Sequence, residues 1–109
     1  MATLFTRIRS GEIPGEIIFE NEHVFAIRDI VPQAPVHVLL IPKAEIPGVA
    51  DVEVEGDHRH LLNAARSLAE QLGLESYRLV INQGEAAGQS VPHLHMHLLS
   101  GRPFAWPPG

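Results

Sequence analysis

The sequence predicts an α+β domain built on an antiparallel sheet, and three observations carry that prediction. Short apolar runs bounded by Gly, Pro, Asn and Asp recur along the chain, at Ile17–Glu20, His23–Asp29, Val36–Ile41, Tyr77–Asn82 and His93–Leu99. That is the pattern of strands joined by turns. Only two segments carry helix start and stop signals, too few for the strand–helix alternation of a doubly wound fold. Finally, His93-Leu94-His95-Met96-His97-Leu98-Leu99 alternates polar with apolar. Period two is a strand pattern, whereas a helix would scatter the three histidines around its axis. The expectation is a five-stranded antiparallel sheet with two helices on one face. Residues 1–109 form a single domain, with 102–109 a C-terminal tail.

Taken in order, Thr3 is placed to cap a short helix carrying Leu4, Phe5 and Ile8 on one side, and Ser10-Gly11 stops it. Ile17–Glu20, the turn Asn21-Glu22 and His23–Asp29 read as a hairpin in which Phe25 and Ile27 share a face. Asp29 leaves its strand just before Pro32, and the residues alone support a turn initiator and a ribose acceptor equally. Val31–Pro35, with two prolines, is a loop, and Val36–Ile41 is a central strand ended by Pro42 and interrupted by His37. The acids Glu45, Asp51, Glu53 and Glu55 precede the second helix, where its dipole favours negative charge. Asp57 is placed to cap that helix. Leu61, Ala65, Leu68, Ala69 and Leu72 form its apolar stripe and Gly73 ends it. His23, His58 and His60 read as solvated surface residues.

Composition bounds the function. The chain has no cysteine and a formal charge of −5, which excludes a disulfide framework and offers no basic stripe for a nucleic-acid polymer. Its longest apolar run, Val36–Ile41, is too short to cross a bilayer, and the first residues lack the apolar core of a signal peptide. A cytoplasmic protein with no membrane partner is the expectation.

The chemistry concentrates in the alternating segment. Each imidazole titrates near neutrality and can donate, accept, attack or bind a metal. Two readings follow from spacing: a zinc site on one strand face, or a nucleophilic histidine with two helpers. The approach, Gly84-Glu85-Ala86-Ala87-Gly88-Gln89-Ser90-Val91-Pro92, favours the second, because it offers backbone N–H groups and a hydroxyl to an anion.

The triad and this approach resemble the histidine triad (HIT) nucleotide-binding proteins. The likeness extends through Gly11-Glu12-Ile13-Pro14, Ile17-Ile18-Phe19-Glu20, Asp29 to Pro35, Val38 to Lys43 and Gly88-Gln89-Ser90-Val91. The tail Trp106-Pro107-Pro108-Gly109 looks like the Hint branch, the purine nucleoside phosphoramidases. The resemblance implies a homodimer whose two sheets join into one of ten strands. It implies hydrolysis of phosphoramidates or aminoacyl-adenylates to AMP or GMP through a nucleotidyl-histidine, with no cofactor and no metal. It makes His95 the nucleophile, held by the backbone carbonyl of His93, with His97, His37 and Ser90 assisting. It assigns nucleotide contacts to Phe5, Ile8, Ile27, Asp29, Ile30, Asn82, Gly88, Gln89, Ser90, His95 and His97, and a specificity role in the partner subunit's site to Trp106. The alternatives are a dinucleoside polyphosphate hydrolase or nucleotidyl transferase of the same family, and a nucleotide- or zinc-binding module without turnover. Pro92, Ser100 and Asn82 depart from or vary within the family pattern.

Overall fold

The computed structural model describes residues 2–109. The order is α1 (Leu4–Arg9), β1 (Ile17–Glu20), β2 (Val24–Arg28), β3 (Val36–Pro42), α2 (His58–Gln71), β4 (Arg78–Val80) and β5 (Met96–Ser100), with short 3₁₀ turns at Val49–Asp51 and Glu85–Ala87. The strands form one antiparallel sheet in the order β1-β2-β3-β5-β4. The central strands are apolar on both faces, and this decides where the helices go. Val24, Ala26, Val38, Leu40, Met96 and Leu98 point to one side and pack against Leu61, Ala64, Ala65, Leu68 and Ala69 of α2. Phe25, Ile27, Leu39 and Ile41 point to the other and pack against Phe5 and Ile8 of α1. The expectation of both helices on one face is therefore corrected. A strand such as β2, with four consecutive buried residues, must be covered on both sides.

Helix α2 ends by a Schellman motif. Gly73 takes a left-handed φ of 69°, its N–H bonds the Glu70 carbonyl, and the Leu74 N–H bonds that of Ala69. The turn swings Leu74 onto the core while Leu72 stays 39 % exposed, so Leu74 replaces Leu72 in the expected stripe. Asp57 stands at the N-cap, but its side chain makes no cap bond.

The histidine-rich strand begins later than its alternation suggests. β5 starts at Met96. Pro92 has no N–H to give a ladder, and the N–H groups of His93 and Leu94 bond the carbonyls of Val91 and Ile46. Leu94, Met96 and Leu98 nonetheless enter the core together, as period two requires. Ser100 ends the strand buried, its hydroxyl donating to the Ser76 carbonyl at 2.6 Å.

Leu68 is fully enclosed between α2 and the sheet, and deleting its side chain leaves a cavity that the sheet cannot close. Leu68→Ala should cost about 2–5 kcal/mol of unfolding free energy, measured by urea denaturation, with Glu70→Ala on the exposed side of the same helix changing it little.

Candidate active site

The α1 face of the sheet carries the histidines. In the β3–β5 register His37 lies opposite Leu99 and His97 opposite Leu39, so the two imidazoles are diagonal neighbours, and His37 Nε2 lies 2.9 Å from His97 Nδ1. The rings of His95 and His97 are 5.3 Å apart, and Phe5 stands edge-on to His95 at 5.0 Å. Three of the expected imidazoles, His37, His95 and His97, thus converge, with Phe5 against His95 and Ile27 in the same apolar cluster as Phe5.

The hydrogen bonds assign each tautomer, because carbonyls only accept and backbone N–H groups only donate. His93 Nε2 donates to the Pro42 carbonyl at 2.8 Å. Its Nδ1 is therefore the acceptor for the Thr3 hydroxyl at 2.6 Å. His95 Nδ1 donates to the His93 carbonyl at 2.8 Å, which leaves Nε2 as the bare nitrogen of the neutral ring. The Gln33 N–H donates to His37 Nδ1 at 3.0 Å, so His37 carries its proton on Nε2 and donates to His97 Nδ1. His97 in turn holds its proton on Nε2. The site presents one bare nitrogen, on His95, and one N–H donor, on His97.

Electrostatics favour the neutral form of His93 and His97. Burial pushes the His93 imidazole below its usual 6.5, against the opposing pull of the Pro42 carbonyl and Glu45. His97 is lowered too, first by burial and then by the neighbouring His95 and His37, with Asp29 opposing.

The remaining expected residues divide. Asp29 is partly buried beside the histidines. Its Oδ1 accepts from the Val31 N–H at 2.8 Å and its Oδ2 lies 3.5 Å from His37 Nε2, so it initiates the turn and also reaches the site. Ile30 projects into solvent, 91 % exposed. The side-chain amide of Gln89 braces its own loop, accepting from the Gly84 N–H and donating to the Pro47 and Val91 carbonyls. The amides of Gly88 and Gln89 bond the Glu85 and Gly84 carbonyls. Gly88 takes a left-handed φ of 99°, and a Cβ there would stand 3.6 Å from the Asn82 side-chain amide. Ser90 is exposed and borders a cavity of about 670 Å³ also lined by Pro47, Asp51, Gln83, Glu85 and Pro92. The tail lies along its own β4: Arg78 donates to the Ala105 carbonyl, Phe104 packs under the guanidinium groups of Arg78 and Arg102, and Trp106 is 83 % exposed.

Residues 10–104 match the HIT domain. The chain belongs to the HIT family. It is 50 % identical over 111 residues to an uncharacterized HIT-like protein of Synechocystis, covering 98 % of this chain and 96 % of that one. It is 47 % identical over 116 residues to adenylylsulfatase HINT1 of Arabidopsis thaliana, covering 98 % and 76 % of the two chains. The crystal structure of a HIT family hydrolase from Legionella pneumophila superposes with a TM-score of 0.91 at 45 % identity, covering 99 % of this chain and all of that one.

Thr3 and Glu45 reach the HIT triad without having been expected there. Glu45 Oε2 accepts from the Thr3 N–H at 2.7 Å and the Thr6 hydroxyl at 2.8 Å, bonds that hold its carboxyl below the usual 4.5. It serves α1, not the dipole of α2, and no local signal in the sequence distinguishes the two. A second histidine cluster lies on the α2 side of the fold, where His23 stacks on His60 at 3.7 Å beside Asp57, although both histidines were expected to face water alone. Their rings are within 9° of parallel, so their in-plane lone pairs do not converge on one ion.

The lowered His93 and His97 give a signed prediction. Between 6.5 and the lowered values the unfolded chain binds protons that the folded chain does not, so stability falls as pH drops through that window. Urea unfolding free energy should be smaller at about pH 5.5 than at about pH 7.5, a range above the carboxylate region. The difference should shrink in a His93→Asn/His97→Asn double variant.

Proposed function

We propose that this protein hydrolyses nucleoside monophosphate derivatives, purine nucleoside phosphoramidates or acyl-adenylates, through a nucleotidyl-histidine on His95. The observation that carries the proposal is the 2.8 Å bond from His95 Nδ1 to the His93 carbonyl. It leaves Nε2 unprotonated and aimed away from its own backbone anchor. Membership of a family that includes hydrolases and an adenylylsulfatase supports the reaction class.

In the first step the Nε2 lone pair of His95 attacks phosphorus and the P–N bond breaks toward the leaving amine, which takes a proton relayed from solvent water through the Ser90 hydroxyl, so Ser90 itself stays neutral. Nδ1 keeps its proton, so the intermediate is a nucleotidyl-imidazolium whose positive charge faces the His93 carbonyl. In the second step water attacks phosphorus, its proton returns to solvent, and neutral imidazole departs. The sum is substrate plus water giving nucleoside monophosphate plus amine. The His97 Nε2–H and the backbone N–H groups of Ser90 and His95 stabilise the phosphoryl oxygens. Asp29 accepts the ribose hydroxyls, while Phe5, Ile8 and Ile27 form the apolar floor under the base, with Ile30 and Asn82 at its margin. Gly88 shapes the phosphate loop and Gln89 holds it in place. The cavity beside Ser90 has room for the leaving group.

Homodimerisation is part of the same proposal. β4 is a sheet edge, and Tyr77, Leu79 and Ile81 are each more than a third exposed along it, with Leu62 of α2 also exposed. Pairing β4 with its copy would give the ten-stranded sheet and bring Trp106 toward the partner's site. A cytoplasmic location belongs to the same reading.

Paired assays test the activity. An adenosine phosphoramidate should be cleaved with kcat/KM well above that for a diadenosine polyphosphate, and chelator should leave the rate unchanged. His95→Asn should lower turnover by about a thousandfold or more while AMP affinity, measured by calorimetry, stays within a few fold. A preference for the diadenosine substrate would move the protein to another branch of the family, and near-native turnover of His95→Asn would remove the nucleophile.

A further inference from the structure

Residues 91–95 hold the reactive imidazole yet lie outside any strand. Strand pairing does not fix them, and other groups must. Val91 is held locally, by the Gln89 amide and the His93 N–H on its carbonyl. Three further bonds tie His93 and Leu94 to distant chain, all running to one short stretch or through it. The Pro42 carbonyl accepts from His93 Nε2, and the Ile46 carbonyl accepts from the Leu94 N–H at 2.6 Å. The third runs through α1: Glu45 holds the Thr3 N–H and the Thr6 hydroxyl, and the Thr3 hydroxyl donates to His93 Nδ1. Thr3 stands ninety residues from His93 in the chain.

We infer that Thr3 and Glu45 are positioning residues for the nucleophile, acting through His93, a role that rests on His95 being the nucleophile. Thr3 does two things at once. Its oxygen accepts from the Thr6 N–H and caps α1, and its hydrogen satisfies the one ring nitrogen of His93 that Pro42 leaves over. With both ring nitrogens bonded, His93 is fixed in rotation and in tautomer. Its carbonyl, which holds His95 Nδ1, is then fixed in direction. Without the Thr3 hydroxyl, His93 Nδ1 is a buried acceptor with nothing to accept. The ring gains by turning or by moving its proton to Nδ1, which abandons Pro42. Either change tilts the His93 carbonyl and loosens the tautomer of His95. Glu45 acts one bond further out. Helix α1 has six residues, too few to hold its own first turn in water, and the carboxylate ties that turn to the segment that runs from Pro42, at the end of β3, to Ile46. Neither residue is needed to touch the nucleotide in this role, so both should act on kcat and spare KM.

The test uses the full chain with ¹⁵N-labelled histidine. Long-range ¹H–¹⁵N spectra report each imidazole's tautomer, and steady-state kinetics on an adenosine phosphoramidate report kcat and KM. Thr3→Val should move the His93 nitrogen resonances away from a pure Nε2–H ring and perturb those of His95. It should lower kcat by about tenfold, the worth of one neutral hydrogen bond, with KM within about twofold. Thr3→Ser should restore both spectrum and rate. Glu45→Gln, which keeps an acceptor for both bonds but removes the charge, should give the same pattern in smaller degree. Unchanged His93 and His95 spectra in Thr3→Val, or moved spectra with unchanged kcat, would overturn the inference. So would a loss of rate that Thr3→Ser fails to restore. Turnover surviving in His95→Asn would overturn the nucleophile itself and this role with it, even where the Thr3→Val spectra had moved, which separates the two failures.

Discussion

A carbonyl oxygen has no proton to give, and from this the character of His95 follows. Because the His93 carbonyl sits 2.8 Å from Nδ1, the proton of the neutral ring stays there and Nε2 is bare. The same logic propagates through the other imidazoles. Pro42 sets His93, the Gln33 N–H sets His37, and His37 sets His97. Each ring is oriented by a backbone group or by a ring that a backbone group has oriented. A backbone anchor does not titrate, so it keeps its donating or accepting sense at any pH, as a carboxylate anchor would not. Burial, which holds His93 and His97 below the usual imidazole range, adds to the preference for neutral rings.

The sheet makes this possible by having two different faces. The α2 face is a continuous aliphatic core of Val24, Ala26, Val38, Leu40, Leu94, Met96 and Leu98, and it supplies the burial that holds the strands in register. The α1 face holds a smaller apolar cluster around Phe25 and Ile41 and, beyond it, the four imidazoles. A one-residue slip of β5 would exchange the faces and put His97 into the aliphatic core. Register and chemistry are therefore enforced by the same alternation. The cost falls on residues 91–95, which Pro92 keeps out of the ladder and which depend on Pro42, Ile46 and Thr3 instead.

Much of this was legible in the sequence. The five strands, both helices, the Thr3 cap and the shared face of His95 and His97 followed from period, caps and turns, whereas His37 joined them only through the family resemblance. What was not legible depended on contacts between distant segments. Nothing near Glu45 says whether it serves α1 or α2, and only the fold brings Thr3 to His93. The placement of α1 on the opposite face from α2 required knowing that β2 is buried on both sides. Gln89 owes its nucleotide assignment to the family resemblance, and nothing near it in sequence shows that its side-chain amide closes its own loop. Leu72 lost its place to Leu74 because the left-handed turn at Gly73 lies beyond what helical periodicity describes. His23 and His60 read as independent surface residues because they lie on separate elements, and they meet only when the β1–β2 turn comes to rest on α2.

The central claim is that a neutral His95, held through Nδ1, carries the nucleotidyl group on Nε2. Acid-free rapid quenching of enzyme with excess adenosine phosphoramidate, followed by intact-mass and peptide analysis, tests it most directly. The account predicts a transient adduct of one adenylyl group on the peptide containing His95, formed within the first turnover and decaying as AMP is released. Turnover with no adduct on the millisecond scale under conditions where the second step is slowed, or an adduct on a residue other than His95, would contradict it.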